Sequence, residues 1–164
     1  MSSLNSRRTP SPAEHHDSIR DALVEVAESS FFAYVDVCDP ERFRELAART
    51  DKWIQATVLF DGTFDGAVMI VLSDGLAREL FNAFIGAEPG LVALDGPLFD
   101  LVGEFSNMVC GSWLTRTCQR RRFDLRHPEV SRIRPEQVTP DVADCLLLAI
   151  NDQPCYLRLA FTGD

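Results

Sequence analysis

From Asp17 to Val35 the apolar positions Ile19, Ala22, Leu23, Val26, Ala27 and Phe31 recur at intervals of three and four, which places them on one face of an α-helix. Cys38-Asp39-Pro40 interrupts that pattern, and Pro40 suits the first turn of a second helix running to Ala48. The period then shortens to two. Ile54, Ala56, Val58 and Phe60 alternate with Trp53, Gln55, Thr57 and Leu59, as a half-buried strand requires. Asp61-Gly62 and Asp65-Gly66 are turn dipeptides, so Ala67 to Leu72 completes a β-hairpin. Ser73 is placed to cap a helix from Asp74 to Ile85 that Gly86 terminates, and Gly90 to Gly96 reads as a connector. The longest helical pattern runs from Pro97 to Cys118, with Leu98, Leu101, Val102, Phe105, Met108, Val109 and Ser112 in an inward stripe. Arg120 to Ser131 begins as a strand and breaks at Pro128, and Pro135 and Pro140 bracket a loop. Cys145 to Ile150 and Tyr156 to Phe161 flank Asn151-Asp152-Gln153-Pro154 as a closing hairpin.

Residues 1–16 combine Ser, Pro and charge without apolar periodicity and are expected to be a disordered tail ahead of one domain over residues 17–164. With 46% hydrophobic residues, a domain of this size can bury a complete core without disulfides or metals. The net charge of −9 disfavours nucleic acid and anionic membranes, both of which attract cationic surfaces. The longest apolar run falls far short of the ~20 residues that span a bilayer, and the N-terminus lacks a signal-like apolar stretch. A cytoplasmic location is therefore expected. Cys38, Cys110, Cys118, Cys145 and Cys155 have no C-x-x-C spacing and read as reduced, mostly buried thiols. No His/Cys/carboxylate cluster has metal-ligand spacing, so no metal is assigned to this chain.

One feature of the longest helix is not accounted for by helix stability. Asp100, Glu104, Asn107 and Gly111 fall within about 60° of one another, roughly 130° from the apolar stripe. Asn is a mediocre helix former and Gly costs about 1 kcal/mol relative to Ala, so neither belongs there on local grounds. A solvated helix face whose glycine packs on a strand is one reading; a surface that another backbone or a partner approaches closely is the other. The first helix carries an echo, Asp21-x-x-x-Glu25-x-x-Glu28, consistent with a degenerate duplication or with chance on an acidic surface.

The stretch Asp100-Leu-Val-Gly-Glu104-Phe-Ser-Asn107-Met-Val-Cys-Gly111 resembles the D/S-x-x-x-E-x-x-N helix motif of the chemotaxis phosphatases CheC and CheX and their flagellar-switch relatives. Pro128 follows slightly closer than the family's characteristic proline. Gly62-Thr-Phe64-Asp-Gly66, Leu72-Ser73 and Phe84-Ile85-Gly86 are similar to the family's glycine-bounded hairpin and following helix. The single intact motif is more CheX-like than CheC-like, since Glu28 stands where a second Asn would be needed. The resemblance implies an α/β fold of the α+β type, with two pseudo-symmetric halves and long helices packed on a mainly antiparallel sheet.

It also implies an aspartyl-phosphate phosphatase acting on a phosphorylated, CheY-like response-regulator receiver. Asn107 would orient the attacking water and Glu104 would pair with the receiver's active-site lysine. Gly111 would let the partner approach, and Asp100 is either a secondary partner contact or a helix-face residue. No cofactor is expected on this chain; Mg²⁺ would be held by the receiver. A homodimer is a further expectation of the resemblance. The alternative is a catalytically silent module of the same fold that docks on a signalling or flagellar-switch partner.

Seven arginines lie between Arg116 and Arg134, against Asp124 and Glu129. They read either as a steering surface for an acidic partner or as a strand edge kept from aggregating by charge. Nucleophilic catalysis has little support, because Ser106 and Ser112 have no nearby histidine in sequence and Cys110 and Cys118 lack an activating partner.

Overall fold

In the computed structural model, which describes residues 10–86, 94–118 and 122–162, the first helical pattern becomes α1 (His16–Phe31), with all its expected inward residues buried. The helix stops at Phe31 rather than Val35. Phe32 takes a left-handed conformation (φ 53°) and Ala33 N–H closes back on the Ala27 carbonyl at 3.0 Å. This turn frees Val35–Val37 to form β1, a strand that the helical spacing had hidden. Asp39 caps α2 (Pro40–Ala48) by accepting the Arg42 N–H at 2.8 Å, with Pro40 at the first helical position.

β2 (Trp53–Asp61) and β3 (Gly66–Ser73) form the expected hairpin. Ser73 Oγ accepts the Leu76 N–H at 3.1 Å to start α3 (Asp74–Ile85), and Gly86 ends it at φ 66°. The central helix α4 (Asp95–Thr117) begins two residues before Pro97, inside the expected connector, whose residues 90–93 lie outside the described ones. Two short strands follow, β4 (Asp124–Leu125) and β5 (Glu129–Ile133). The closing hairpin, β6 (Cys145–Ile150) with β7 (Gln153–Phe161), turns on Asn151 and Asp152 alone, both at positive φ. Pro154 lies inside its ladder, opposite Ala149, because a two-residue turn of this hand matches the twist of paired strands.

All pairings are antiparallel, and the sheet runs β1-β6-β7-β3-β2, with β4 and β5 sharing the outer edge of β2. Exchanging β1 with β5, β6 with β2 and β7 with β3 reproduces this order in reverse. Apart from α2, α3 and the two-residue β4, each half is therefore a helix followed by three strands, α1-β1-β2-β3 and α4-β5-β6-β7, with β1 and β5 each lying beside the hairpin of the other half. One sheet face buries Ile54, Ala56, Val58, Phe60, Val68, Ile70 and Leu72 beneath α1, α3 and α4. The opposite face gathers Trp53, Val71, Leu147 and Tyr156 under Phe43 of α2.

Of the segment 1–16 read as a tail, residues 1–9 lie outside the described ones. Pro12–His15 form a 3-10 turn that brings the His15 ring within 5.5 Å of both Trp113 and Phe161, ring centre to ring centre. Every cysteine is buried, and burial pushes the Cys110 and Cys155 thiols up to about 12. No helix among the described residues is long and apolar enough to cross a membrane.

Candidate active site

The central helix is buried over most of its circumference, by Leu98, Leu101, Val102, Gly103, Phe105, Ser106, Val109, Cys110, Trp113 and Leu114. Met108 and Ser112, expected in the inward stripe, are half-buried at its border. The sector left open is the polar ribbon: Asp100 and Glu104 are exposed and Asn107 is half-buried.

Facing this sector is a fault in the sheet. β5 pairs with β2 up to Glu129↔Thr57, and β4 resumes at Leu125↔Phe60, so Arg126, His127 and Pro128 oppose only Val58 and Leu59. The extra residue makes a bulge, anchored by the Arg126 N–H on the Leu59 carbonyl at 2.9 Å. Proline, with no N–H to offer a ladder, fits this position. The strand break expected at Pro128 is this bulge.

Between the bulge and α4 lies an open groove of about 390 Å³. Phe99, Asp100, Gly103, Glu104 and Asn107 line one wall; His127, Pro128 and Val130 line the other. Sequence reasoning singled out Asp100, Glu104 and Asn107, and the fold brings them to one wall. Gly111 does not line the groove. It sits farther along α4, where an added Cβ would meet Leu125 Cδ1 at an ordinary 3.6 Å. The close approach is at Gly103, where a Cβ would lie 3.0 Å from Pro128 Cγ and 3.4 Å from Val130 Cγ2. Gly103 carries the same helix penalty as Gly111, but spacing alone does not show which glycine meets a strand, because that strand is remote in sequence. Gly111→Ala should therefore raise stability by about 0.5–1 kcal/mol through helix propensity. Gly103→Ala should lower it by about 1 kcal/mol, because crowding against Pro128 exceeds the same gain; paired urea titrations distinguish the two.

Asn107 Oδ1 is buried and accepts no hydrogen bond, so no bond within the fold holds the amide oxygen in place. A half-turn about χ2 exchanges Oδ1 with Nδ2, which lets the amide present either an acceptor or a donor to the groove.

The first turn of α4 has no side-chain cap. Arg132 of β5 holds it instead, donating to both Asp95 carboxylate oxygens at 3.1 and 2.7 Å and to Asp74 Oδ1 at 2.8 Å. Arg78 binds the other Asp74 oxygen at 2.7 Å. Burial alone would raise the Asp74 carboxyl, but hydrogen bonds and charge from Arg78 and Arg132 outweigh it and hold the group below its ordinary value. The Arg132 hydrogen bond likewise lowers Asp95. A depressed carboxylate stabilises the fold above its unfolded value of about 3.9, and that contribution disappears as pH falls through the folded value. Asp74→Asn should thus cost about 1.5–3 kcal/mol at pH 7, and its deficit against wild type should shrink below about pH 4. Urea midpoints across that range provide the check.

The sequence profile of the family described as chemotaxis phosphatase CheX matches residues 54–150, more than half of the chain. This chain belongs to the CheX family. Its fold is that of solved CheX structures. The Vibrio vulnificus CheX structure superposes with a TM-score of 0.69 at 19% identity, covering 94% of this chain and 100% of that one. CheX from Desulfovibrio desulfuricans gives 0.66 at 14% identity over 91% and 99% of the two chains. A CheX-CheY-BeF3-Mg²⁺ complex from Borrelia burgdorferi gives 0.61 at 12% identity over 91% and 98%. No curated protein matches the sequence significantly.

Within this CheX-family fold the remaining candidates have other roles. Ser106 Oγ is buried and donates to the Val102 carbonyl at 2.8 Å, and the buried Cys110 thiol is held neutral, so neither is poised as a nucleophile. Among the described arginines of the basic stretch, Arg116 pairs with Glu25, Arg126 with Asp61, and Arg132 with Asp74 and Asp95. Much of that stretch is thus spent on internal pairs. The Glu25 partnership also shows what became of the echo on α1: its acid bridges the two long helices. Among the described residues no three His, Cys, Asp or Glu side chains converge as a metal-binding set.

Proposed function

We propose that this CheX-family protein hydrolyses the aspartyl phosphate of a CheY-like receiver domain, with the α4 wall of the groove as the catalytic surface. The observation that carries the reading is the exposed Glu104 one turn from the half-buried Asn107, both lining a groove open to solvent. The family's description and the CheY-bound Borrelia burgdorferi relative support a receiver as the partner. Glu104 pairs with the receiver's active-site lysine, which seats the phosphoryl group beside Asn107. Asn107 fixes a water in line with the phosphorus without changing its own charge near neutral pH. The water oxygen bonds to phosphorus as the bond to the aspartyl oxygen breaks. The products are the receiver carboxylate and inorganic phosphate, which carries away both hydrogens of the water. Asp100, at the same wall, contributes to docking. The receiver's divalent ion, expected to be Mg²⁺, offsets charge on the phosphoryl oxygens.

One observation favours a binding module without turnover: Asn107 Oδ1 is enclosed rather than aimed into the groove. The decay of a panel of phosphorylated receivers, with and without the protein, separates the readings. Accelerated loss of label from one receiver supports the phosphatase; binding with unchanged decay supports the module.

A further inference from the structure

We propose that Arg132 is a positioning residue for the groove, setting the angle at which α4 presents Asp100 and Glu104 to a docking partner. Arg132 belongs to β5, two residues from Val130, and so is built into the wall opposite α4. Its guanidinium grips Asp95, the first residue of α4, through a two-pronged contact, and its third bond reaches Asp74 at the start of α3. One turn beyond Asp95, the Phe99 ring lies 5.6 Å from the guanidinium carbon, and Phe99 itself lines the groove. A single side chain thus ties both walls together at the end where α4 lacks a cap. Asp74 is 8% exposed and shared with Arg78, so Arg132 bears on a fixed point rather than on a freely moving surface carboxylate. Lysine cannot reproduce this arrangement, because a point charge on a flexible stem does not bind two carboxylates in fixed directions.

The far half of α4 is locked by the buried Cys110, Trp113 and Leu114. Leu98, Val102 and Phe105 bury the nearer turns as well, so loss of the clamp frees chiefly the uncapped start of the helix, and displacement grows toward Asp95. Glu104 and Asp100 move more than Asn107. Docking suffers more than chemistry.

The inference rests on the groove being the docking surface, and its test separates the two. In the free protein, backbone amide resonances from Asp100 to Asn107 should shift in Arg132→Met, most at the Asp100 end; unchanged resonances in the folded variant overturn the inference. With the phosphorylated receiver, Arg132→Met should raise KM about tenfold and alter kcat less than about threefold. The dissociation constant for a beryllium-fluoride-loaded receiver should rise in parallel. Arg132→Lys, which retains the charge, should show the same split in smaller measure and serves if the methionine variant fails to fold. KM and dissociation constant both within twofold of wild type would overturn the inference. Absent turnover by the wild type, with the dissociation constant still raised in the variant, would overturn the phosphatase reading alone.

Discussion

Asn107→Ala should reduce receiver dephosphorylation about a hundredfold or more while leaving the fold intact, a magnitude typical of removing one well-placed polar group from a transition state. Alanine is the better helix former, and the substitution removes an oxygen that is buried without a partner, so stability should hold or rise by a few tenths of a kcal/mol. That separation of stability from turnover makes the variant informative. Asn107→Asp keeps the shape but puts negative charge beside an anionic phosphoryl group, and should be as inactive as the alanine variant. Single-turnover decay of a labelled receiver, at concentrations where binding is saturated, provides the measurement. Equal decay with wild type and Asn107→Ala would leave the groove as a docking surface only.

Trp113→Ala should destabilise the protein by about 3–5 kcal/mol, lowering the melting temperature by about 8–16 °C for a chain of this length. Trp113 is fully buried, packs edge-on against Phe60 at 5.6 Å, and donates its indole N–H to Ser18 Oγ at 3.1 Å. Truncation therefore opens a cavity where α1, α4 and the sheet meet and leaves the Ser18 hydroxyl without this donor. Below the new transition the surviving molecules should still bind a receiver, since Trp113 is no part of the groove. Calorimetry gives the first number, and receiver titration at low temperature gives the second.

Where local spacing determines structure, the chain was readable. The alternation in β2, Pro40 in the first turn of α2, the Ser73 cap and the stop at Gly86 all rest on neighbours within a few residues, and all stand as expected. The end of α1 was not readable, because Phe32 adopts a left-handed turn with no glycine to announce it. β1 follows from that turn and from pairing with β6, more than a hundred residues away. The site divides in the same way. Asp100, Glu104 and Asn107 share a helix face by spacing alone, whereas Gly103, His127, Val130 and Arg132 acquire their roles only when a bulged strand is laid against that helix. Gly111 was conspicuous for its cost in a helix, yet the tight contact falls at Gly103, which one-dimensional spacing cannot rank.

The placement of β1 and β5 bears on how the protein comes into being. Because each lies beside the other half's hairpin, the two repeats are clasped like interlocked fingers. A chain severed between Gly86 and Asp95 would part β1 and β5 each from the hairpin it borders, so neither piece is expected to stand alone. Assembly must wait for contacts far apart along the polypeptide, which makes it slow relative to a helical bundle of equal size and close to all-or-none. The α4 wall and its opposing bulge are then completed in the same late step, leaving no half-built groove on a partly folded chain.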